Sequence, residues 1–407
     1  GGYYDNKTRR PYEAYDYNIL HETFNYGIGA QYMINKGNYI TADCYADHFS
    51  SSYCFFKDNK TYNGKAGEEQ VRKRTRNHNL SIKGIFKLGN RHKLSVGTEY
   101  IVDVLKSQTD NIAKEDAYTL ALFAQDEIKL LRNLQALIGV RYIYHENFKN
   151  HATPNVALMY KPGKFNFRAS YAAGFRTPTL SELYATDIAK KNDRLTIGNL
   201  DLKSEKNNYF SLSAEYVHER FSVSVNAFYN NIRDMIDYNT IATGDKAMEQ
   251  YGHKEVRQRD NIAEAKVHGI NVSANAYLGA GFNLSGGYTH LNTQDVELGQ
   301  PIDKSIKNAY NINAQWAHSW KIYRLNINLN GRFNSKRFSK SYGYAPEYQL
   351  WNLNTRHSFN LKSVIIEPGC GMENLFDYMD DRPYNSNYAT LTPGRSFYIS
   401  LSLKFKS

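Results

Sequence analysis

The segment FYISLSLKF, residues 397–405, sets Phe397, Ile399, Leu401, Leu403 and Phe405 against Ser400, Ser402 and Lys404. Successive side chains of an extended strand point to opposite faces, so this stretch needs hydrocarbon on one side and water or polar groups on the other. The same two-sided pattern recurs through the chain. Phe165, Phe167, Ala169 and Tyr171 oppose Asn166, Arg168 and Ser170, and Phe221, Val223, Val225, Ala227 and Tyr229 oppose Ser222, Ser224 and Asn226. Tyr310, Ile312, Ala314 and Trp316 oppose Asn311, Asn313 and Gln315; Leu325, Ile327 and Leu329 oppose Asn326, Asn328 and Asn330. A second face of Asn, Ser and Arg would be costly in the dry interior of a sandwich and is at home against a wet lumen.

Composition agrees with hydrocarbon outside the protein. Of 407 residues only 41% are hydrophobic, and mean hydropathy is −0.64, so no run reaches the length of a spanning helix. Barrel strands carry apolar residues at alternate positions and average out as polar. The 34 Tyr and 20 Phe suit aromatic girdles at a water–lipid boundary. The formal net charge is +11, but Lys and Arg are scattered over many turns and loops, which argues against a nucleic-acid partner.

Such runs make about seventeen strands, beginning near residues 22, 38, 77, 92, 116, 133, 153, 164, 207, 220, 264, 281, 307, 322, 348, 363 and 395. Their connections alternate in length. Short turns read NKGN (35–38), LGNRH (88–92), KLLRN (129–133), KPGKF (161–165), VHERF (217–221), LGAGF (278–282), HSWKIY (318–323) and NLKSV (360–364). Longer connections are expected at 50–76, 105–115, 145–152, 174–206, 235–262, 291–306, 335–347 and 378–394. Sorting of short turns to one rim and long loops to the other is the asymmetry of an outer-membrane β-barrel. The last strand then runs from the long-loop rim downward, and counting back makes the first visible strand run down as well. Antiparallel strands cannot close in an odd set, so residues 1–20 are expected in an external loop, with earlier strands outside the chain. The opening GGYYDNKTRR has no apolar h-region, which suggests a mature or truncated chain.

Three stretches resemble the TonB-dependent outer-membrane transporters, whose barrels have 22 strands and a plug. They are YAAGFRTPTLSELY (171–184) with GNLDLKSEK (198–206), NIAEAKVHGINVSANAYL (261–278), and ENLFDYMDDRPYN (373–385) with PGRSFYISLSLKF (393–405). Leu200 and Ser204 stand where the family often has Pro, and the chain ends Phe405-Lys406-Ser407 instead of on a terminal Phe. The resemblance implies an all-β transmembrane antiparallel barrel, with residues 1–407 as its C-terminal part and the N-terminal plug and first strands missing. It also implies active import through the outer membrane, not catalysis. Expected partners are outer-membrane lipid, the plug, the TonB complex of the inner membrane, a small-molecule ligand and, as an open possibility, a surface lipoprotein. No cofactor is expected; calcium in the external loops is left open.

Each motif has a structural and a ligand-binding reading. Gly174, Phe175, Arg176, Thr177 and Pro178 fall where a strand meets a long loop, where Arg176 can clamp carbonyls or carboxylates or contact a ligand. Glu182, Tyr184, Asn199 and Leu200 belong to the same boxes. Asn374, Leu375, Phe376 and Asp377 suit a tight bend at a strand end, and Gly394 and Arg395 open the last strand, with Arg395 expected against a lumen acid. Candidate ligand contacts on loop tips are Arg176, Tyr251, His253, Phe338, Tyr342, Tyr344, Tyr378, Tyr384 and Tyr388, since flat rings suit a corrin, a porphyrin or a sugar.

Between Pro178 and Asn199 there is no His, which disfavours the usual haem geometry and leaves His145, His151 and His253 as alternatives. The spacing of FRTPTLSELY and GNLDLKSE resembles the cobalamin and haem branch of the family more than its catecholate-siderophore receptors, so the resemblance implies cobalamin or a related corrinoid first, with haem or siderophore uptake as the alternative and a passive porin-like channel as a further one. Cys44 and Cys54 could pair in an oxidising compartment or be incidental thiols; with Cys370 they offer no metal spacing. An enzymatic barrel would need a catalytic cluster at one depth, and Glu182, Asp201 and His290 supply none by spacing.

Overall fold

A computed structural model describes residues 2–9, 17–60, 62–189, 192–339, 343–380 and 394–406. The strands are β1 (Gly2–Arg9), β2 (Tyr17–Asn35), β3 (Asn38–Phe55), β4 (Glu69–Leu88), β5 (His92–Ser107), β6 (Ile112–Leu131), β7 (Leu134–His145), β8 (Lys149–Tyr160), β9 (Phe165–Arg176), β10 (Thr186–Ala189) and β11 (Arg194–Ile197). They continue as β12 (Glu205–Val217), β13 (Phe221–Thr243), β14 (Glu255–Gly279), β15 (Phe282–Asp295), β16 (Asn308–Trp320), β17 (Tyr323–Asn334), β18 (Arg337–Ser339), β19 (Gly343–Ala345), β20 (Tyr348–Asn360), β21 (Val364–Glu373) and β22 (Ser396–Phe405). Two short helices interrupt them, α1 (Leu180–Tyr184) and α2 (Gly244–Tyr251). Twenty strands share one sheet, and β18 with β19 forms a separate hairpin. Among the described residues no helix is long and apolar enough to cross a membrane. The crossing elements are strands.

Every one of the seventeen expected strands is present, and all eight short turns fall where the sequence places them. Gly37 illustrates why: its φ of +101° closes the two-residue turn between β2 and β3, a conformation that glycine adopts without strain.

Four expectations are corrected. Residues 2–9 do not lie in a loop but form β1, antiparallel to the upper half of β2 with Gly2 opposite Asn25 and Arg9 opposite Asn18. Its sequence GYYDNKTR is polar on both faces, so no alternation announces it, and it adds a strand to the seventeen. The connections expected at 50–76, 105–115 and 145–152 shrink to residues 56–68, 108–111 and 146–148, because the strands run on past the apolar band. The loop expected at 235–262 is instead the top of β13, then α2, then the start of β14. Cys44 and Cys54 both lie on β3, ten residues apart and so roughly 33 Å along an extended strand, far beyond the reach of a mutual disulfide.

The chain divides into two compact units, one of residues Gly1–Ala157, Ala172–Asn208 and Ile232–Ala263, the other of Leu158–Tyr171, Tyr209–Asn231 and Glu264–Ser407. In the first, the outward face carries exposed Phe24, Tyr26, Ile28, Tyr32 and Ile34 on β2, and Ile138, Val140 and Tyr142 on β7. Tyr26 to Ile34 covers roughly 26 Å along the strand, the height of a bilayer's apolar band. In the second, Trp316, Trp320, Tyr323 and Phe359 form a chain of ring contacts at the short-turn ends of β16, β17 and β20, an aromatic girdle.

The opposite face of this second unit is a wall of amides. Asn313 and Asn328 exchange hydrogen bonds, and Gln315 donates to Asn326. The exposure of Phe397 (70%), Ile399 (88%), Leu401 (66%) and Phe405 (81%) on β22 makes no sense in water and full sense in lipid.

Candidate functional site

The first unit brings the motif residues of β9, α1, β12 and β14 to one place at the long-loop end of the strands. Its centre is Arg176, the last residue of β9. Its Nε and Nη2 donate to Glu205 at 2.8 and 2.6 Å, while Nη1 and Nη2 donate to Glu182 at 2.9 and 3.3 Å. The planar guanidinium thus forks onto two carboxylates, one from each end of the excursion between β9 and β12.

Both acids have further duties. Glu182 completes a capping box at the start of α1, where its carboxylate accepts from the Thr179 backbone and hydroxyl, and Thr179 Oγ1 accepts from the Glu182 N–H. Glu205 accepts from the Ile236 N–H of β13 at 2.8 Å. Burial by itself would raise the Glu182 carboxyl, but the Arg176 and Thr179 hydrogen bonds outweigh it and hold the group below the usual carboxylate range.

Asparagines tie the excursion down at its far end. Asn199 donates to the Arg259 carbonyl at 3.0 Å and accepts from the Asp201 N–H. Asn261 accepts from the Lys203 N–H at 2.7 Å and donates to the carbonyls of Lys203 and Asp234. Gly198 lies so close to the end of α1 that a Cβ there would sit 2.4 Å from the Leu183 carbonyl oxygen. Leu183, Leu202 and Ile236 fill the space beneath, with Phe148 and Tyr184 against them. Leu200 is left exposed, Pro178 is buried and Thr177 half-buried. Gly174 faces Asn207, whose side chain occupies the room a Cβ would need.

The expected ligand histidines divide. His145 is buried and accepts from the Asn147 N–H, and His151 stacks on Phe175 at 4.4 Å and meets Ser204 at 3.3 Å, so both belong to the packing. His253 follows α2 and shares a 2.8 Å hydrogen bond with Asp193, holding that carboxylate below its usual range. Tyr251 ends α2, exposed.

In the second unit, Phe338 and Tyr344 pair edge to face across the β18–β19 hairpin at 5.3 Å. Tyr378 stacks on Tyr348 at 5.5 Å, and its backbone is clasped by the buried Asn374 side chain. Asn374 and Asp377 both adopt positive φ in a tight bend, and Asp377 accepts from the Arg395 N–H at 2.7 Å. Arg395 therefore contributes its backbone there, and no ion pair of its side chain with a lumen acid is found among the described residues. The Leu375 N–H donates to the Trp351 carbonyl at 2.7 Å, Phe376 is exposed beside the Trp351 ring, and Gly394 immediately precedes Arg395. Tyr342, Tyr384 and Tyr388 lie outside the described residues.

Two groupings in the first unit escape sequence reasoning. The Arg259 guanidinium lies 3.5 Å from the centre of the Tyr238 ring while donating to its hydroxyl at 2.6 Å, joining β13 to β14. Tyr17, Tyr53, Phe55 and Tyr62 form an aromatic knot capped by Arg72, 5.3 and 5.2 Å from the Tyr53 and Tyr62 rings. Burial, with Tyr53 and Tyr62 nearby, pushes the Tyr17 hydroxyl far above its ordinary range, so it stays neutral. Alternating basic and aromatic residues hint at such pairs, but only strand register brings them face to face.

The sequence pattern of the family described as "TonB dependent receptor-like, beta-barrel" matches residues 1–374. The ferric enterobactin receptor of Pseudomonas aeruginosa is 22% identical over 371 residues, covering 78% of this chain and 49% of the relative. The ferrienterobactin receptor of Escherichia coli is 23% identical over 340 residues, 74% of this chain and 44% of its own. The chain spans about half the length of these relatives. Crystal structures share the fold: a ferric enterobactin receptor of Pseudomonas aeruginosa superposes with a TM-score of 0.78 at 18% identity, over 96% of this chain and 62% of that one. The siderophore receptor PirA of Acinetobacter baumannii gives 0.73 at 16% identity, over 96% and 63%.

Proposed function

Because the chain belongs to the TonB-dependent receptor β-barrel family of the outer membrane, we propose that it forms the barrel of an active importer that takes up an anionic ferric siderophore, driven by TonB acting on a plug. The family is one of receptors, not enzymes. The preference for cobalamin gives way to the siderophore alternative, because the relatives described above are receptors for ferric enterobactin.

One observation in this chain carries the reading. Asn199, inside a family motif, holds the backbone of Arg259, and the Arg259 side chain is laid flat on Tyr238. The motif node therefore positions a cation and an aromatic face together on one external strand pair. An anionic iron chelate with aromatic arms needs both, a charge for the metal-bound oxygens and a face for the rings. A corrin, nearly neutral at its rim, needs the face far more than the charge.

The test is uptake of radiolabelled iron by cells carrying the complete gene, supplied as a catecholate chelate, with and without TonB. TonB-dependent accumulation that falls about tenfold for Arg259→Ala is expected. Loss of growth on limiting cobalamin on deleting the gene, with iron uptake intact, would overturn the reading.

A further inference from the structure

Register across the first unit sorts its outward face into rows. Ile28, Cys44, Leu80, Tyr100, Leu120 and Tyr144 stand side by side on β2 to β7, and the next row toward the long-loop rim holds Tyr26, Ala46, His78, Val102 and Tyr118. The Tyr100, Tyr118 and Tyr144 rings follow one another at 6.0 Å, marking the upper edge of the apolar band. Above it come Phe24, His48, Arg76, Val104 and Asp116, then Glu22, Ser50, Arg74 and Lys106. On the other face of these strands, Asn77 donates to Asp103 and Asn79 to Glu99, which confirms that the rows above point away from the polar interior.

Arg74 and Lys106 are directly opposed across β4 and β5, and Arg76 is two residues along from Arg74 on the same face. All three are exposed, and no hydrogen-bond or ion-pair partner of their side chains is found among the described residues. Like charges in directly opposed positions repel across roughly 5 Å. Asp116 is paired with Lys114 at 3.2 Å, and Glu22, which accepts from the Ser50 hydroxyl at 3.3 Å, stands two strands from Arg74, roughly 10 Å away. His48, in the row of Arg76, and His78, one row below it, have rings 5.3 Å apart.

A cationic strip with no directly bonded counter-charge among the described residues, one to two rows above an aromatic girdle, faces the headgroup layer of the external leaflet. We infer that Arg74, Arg76 and Lys106 form a binding surface for the phosphate groups of an outer-leaflet glycolipid, which supplies the missing anions and ties the barrel to specific lipids around it. Charge complementarity and continuity with the lipid-facing band select this occupant. A protein partner would also want an apolar patch among the cations.

The full-length protein in detergent, folded as judged by heat-dependent gel mobility, is titrated with bisphosphorylated lipid A and with its dephosphorylated form by native mass spectrometry. The phosphorylated lipid is expected to bind at least about tenfold tighter, and Arg74→Gln/Arg76→Gln/Lys106→Gln to remove that preference. The single Arg76→Gln variant, expected to lose a few-fold, serves if the triple variant fails to fold. Lys93→Gln at the opposite rim leaves binding unchanged. Equal affinity of wild type for the two lipids, an unaltered preference in the variants, or displacement by inorganic phosphate as effective as by the lipid would each overturn the inference.

Discussion

Replacing Arg176 by alanine separates an anchoring role from a ligand-contact role. The substitution removes four charge-assisted hydrogen bonds and leaves Glu182 and Glu205, whose side chains are 13% and 15% exposed, facing each other without a cation. Breaking a buried ion pair costs about 3–5 kcal/mol, while an exposed pair is worth about 0–1. The Arg176 side chain is itself 42% exposed, so the value falls between, at about 2.5 kcal/mol.

That energy opposes local opening of residues 177–204, not unfolding of the whole sheet, so a melting temperature would miss it. Amide hydrogen exchange resolved by peptide would not: protection over 179–204 should fall roughly 70-fold, with β2 to β5 unaffected. Arg176→Lys keeps the charge but loses the fork, and should show about half the energetic loss. Unchanged protection in Arg176→Ala together with abolished ligand uptake would refute the anchoring argument and return Arg176 to the ligand.

Other outcomes follow from the same geometry. Asn261→Ala leaves the Lys203 N–H and two carbonyls unpartnered and should cost about 1–3 kcal/mol of the same local stability, seen as faster proteolysis between 185 and 204. Gly198→Ala drives a methyl into the Leu183 carbonyl and should loosen α1 by about 1–3 kcal/mol in the exchange assay. Since the folded Glu182 carboxyl is held below its unfolded value, its contribution is complete above the usual carboxylate range and lost as pH drops through the lowered one. Protection of α1, corrected for intrinsic exchange, should therefore hold at mildly acidic pH and fall only below it, and Glu182→Gln should flatten that profile. Cys44 stands in the lipid-facing row between Ile28 and Leu80, so in intact membranes it should react with a lipophilic maleimide and resist a sulfonated one, with no loss of reactivity under oxidising conditions through pairing with Cys54.

How much of this was legible depended on what each residue had to face. Wherever one side of a strand met lipid, as in Phe165–Tyr171 or Phe397–Phe405, a two-residue period showed in the sequence and the strand was found. Beyond the bilayer both faces meet water, the period vanishes, and β1 and the tops of β3 to β8, β13 and β14 look like loop in the sequence. The motif residues were visible through their resemblance to a family, yet their joint work was not. Nothing in the spacing of Arg176, Glu182 and Glu205, or of Asn199 and Arg259, says that they converge. The Tyr17–Tyr53–Tyr62 knot is also set by register, with Tyr17 opposite Phe55 on the neighbouring strand.

The amide wall of the second unit carries a consequence of its own. Amides neither gain nor lose protons over any pH a cell meets, and their mutual bonds, Asn313 with Asn328 and Gln315 with Asn326, involve no net charge for salt to screen. These particular bonds therefore present the same donors and acceptors in fresh water, brine or acid. Acidity and salinity act beside them on the same face, at Arg356 opposite Asn326 and at the Glu367–Lys404 pair, so the amides form a fixed ground between groups that do respond.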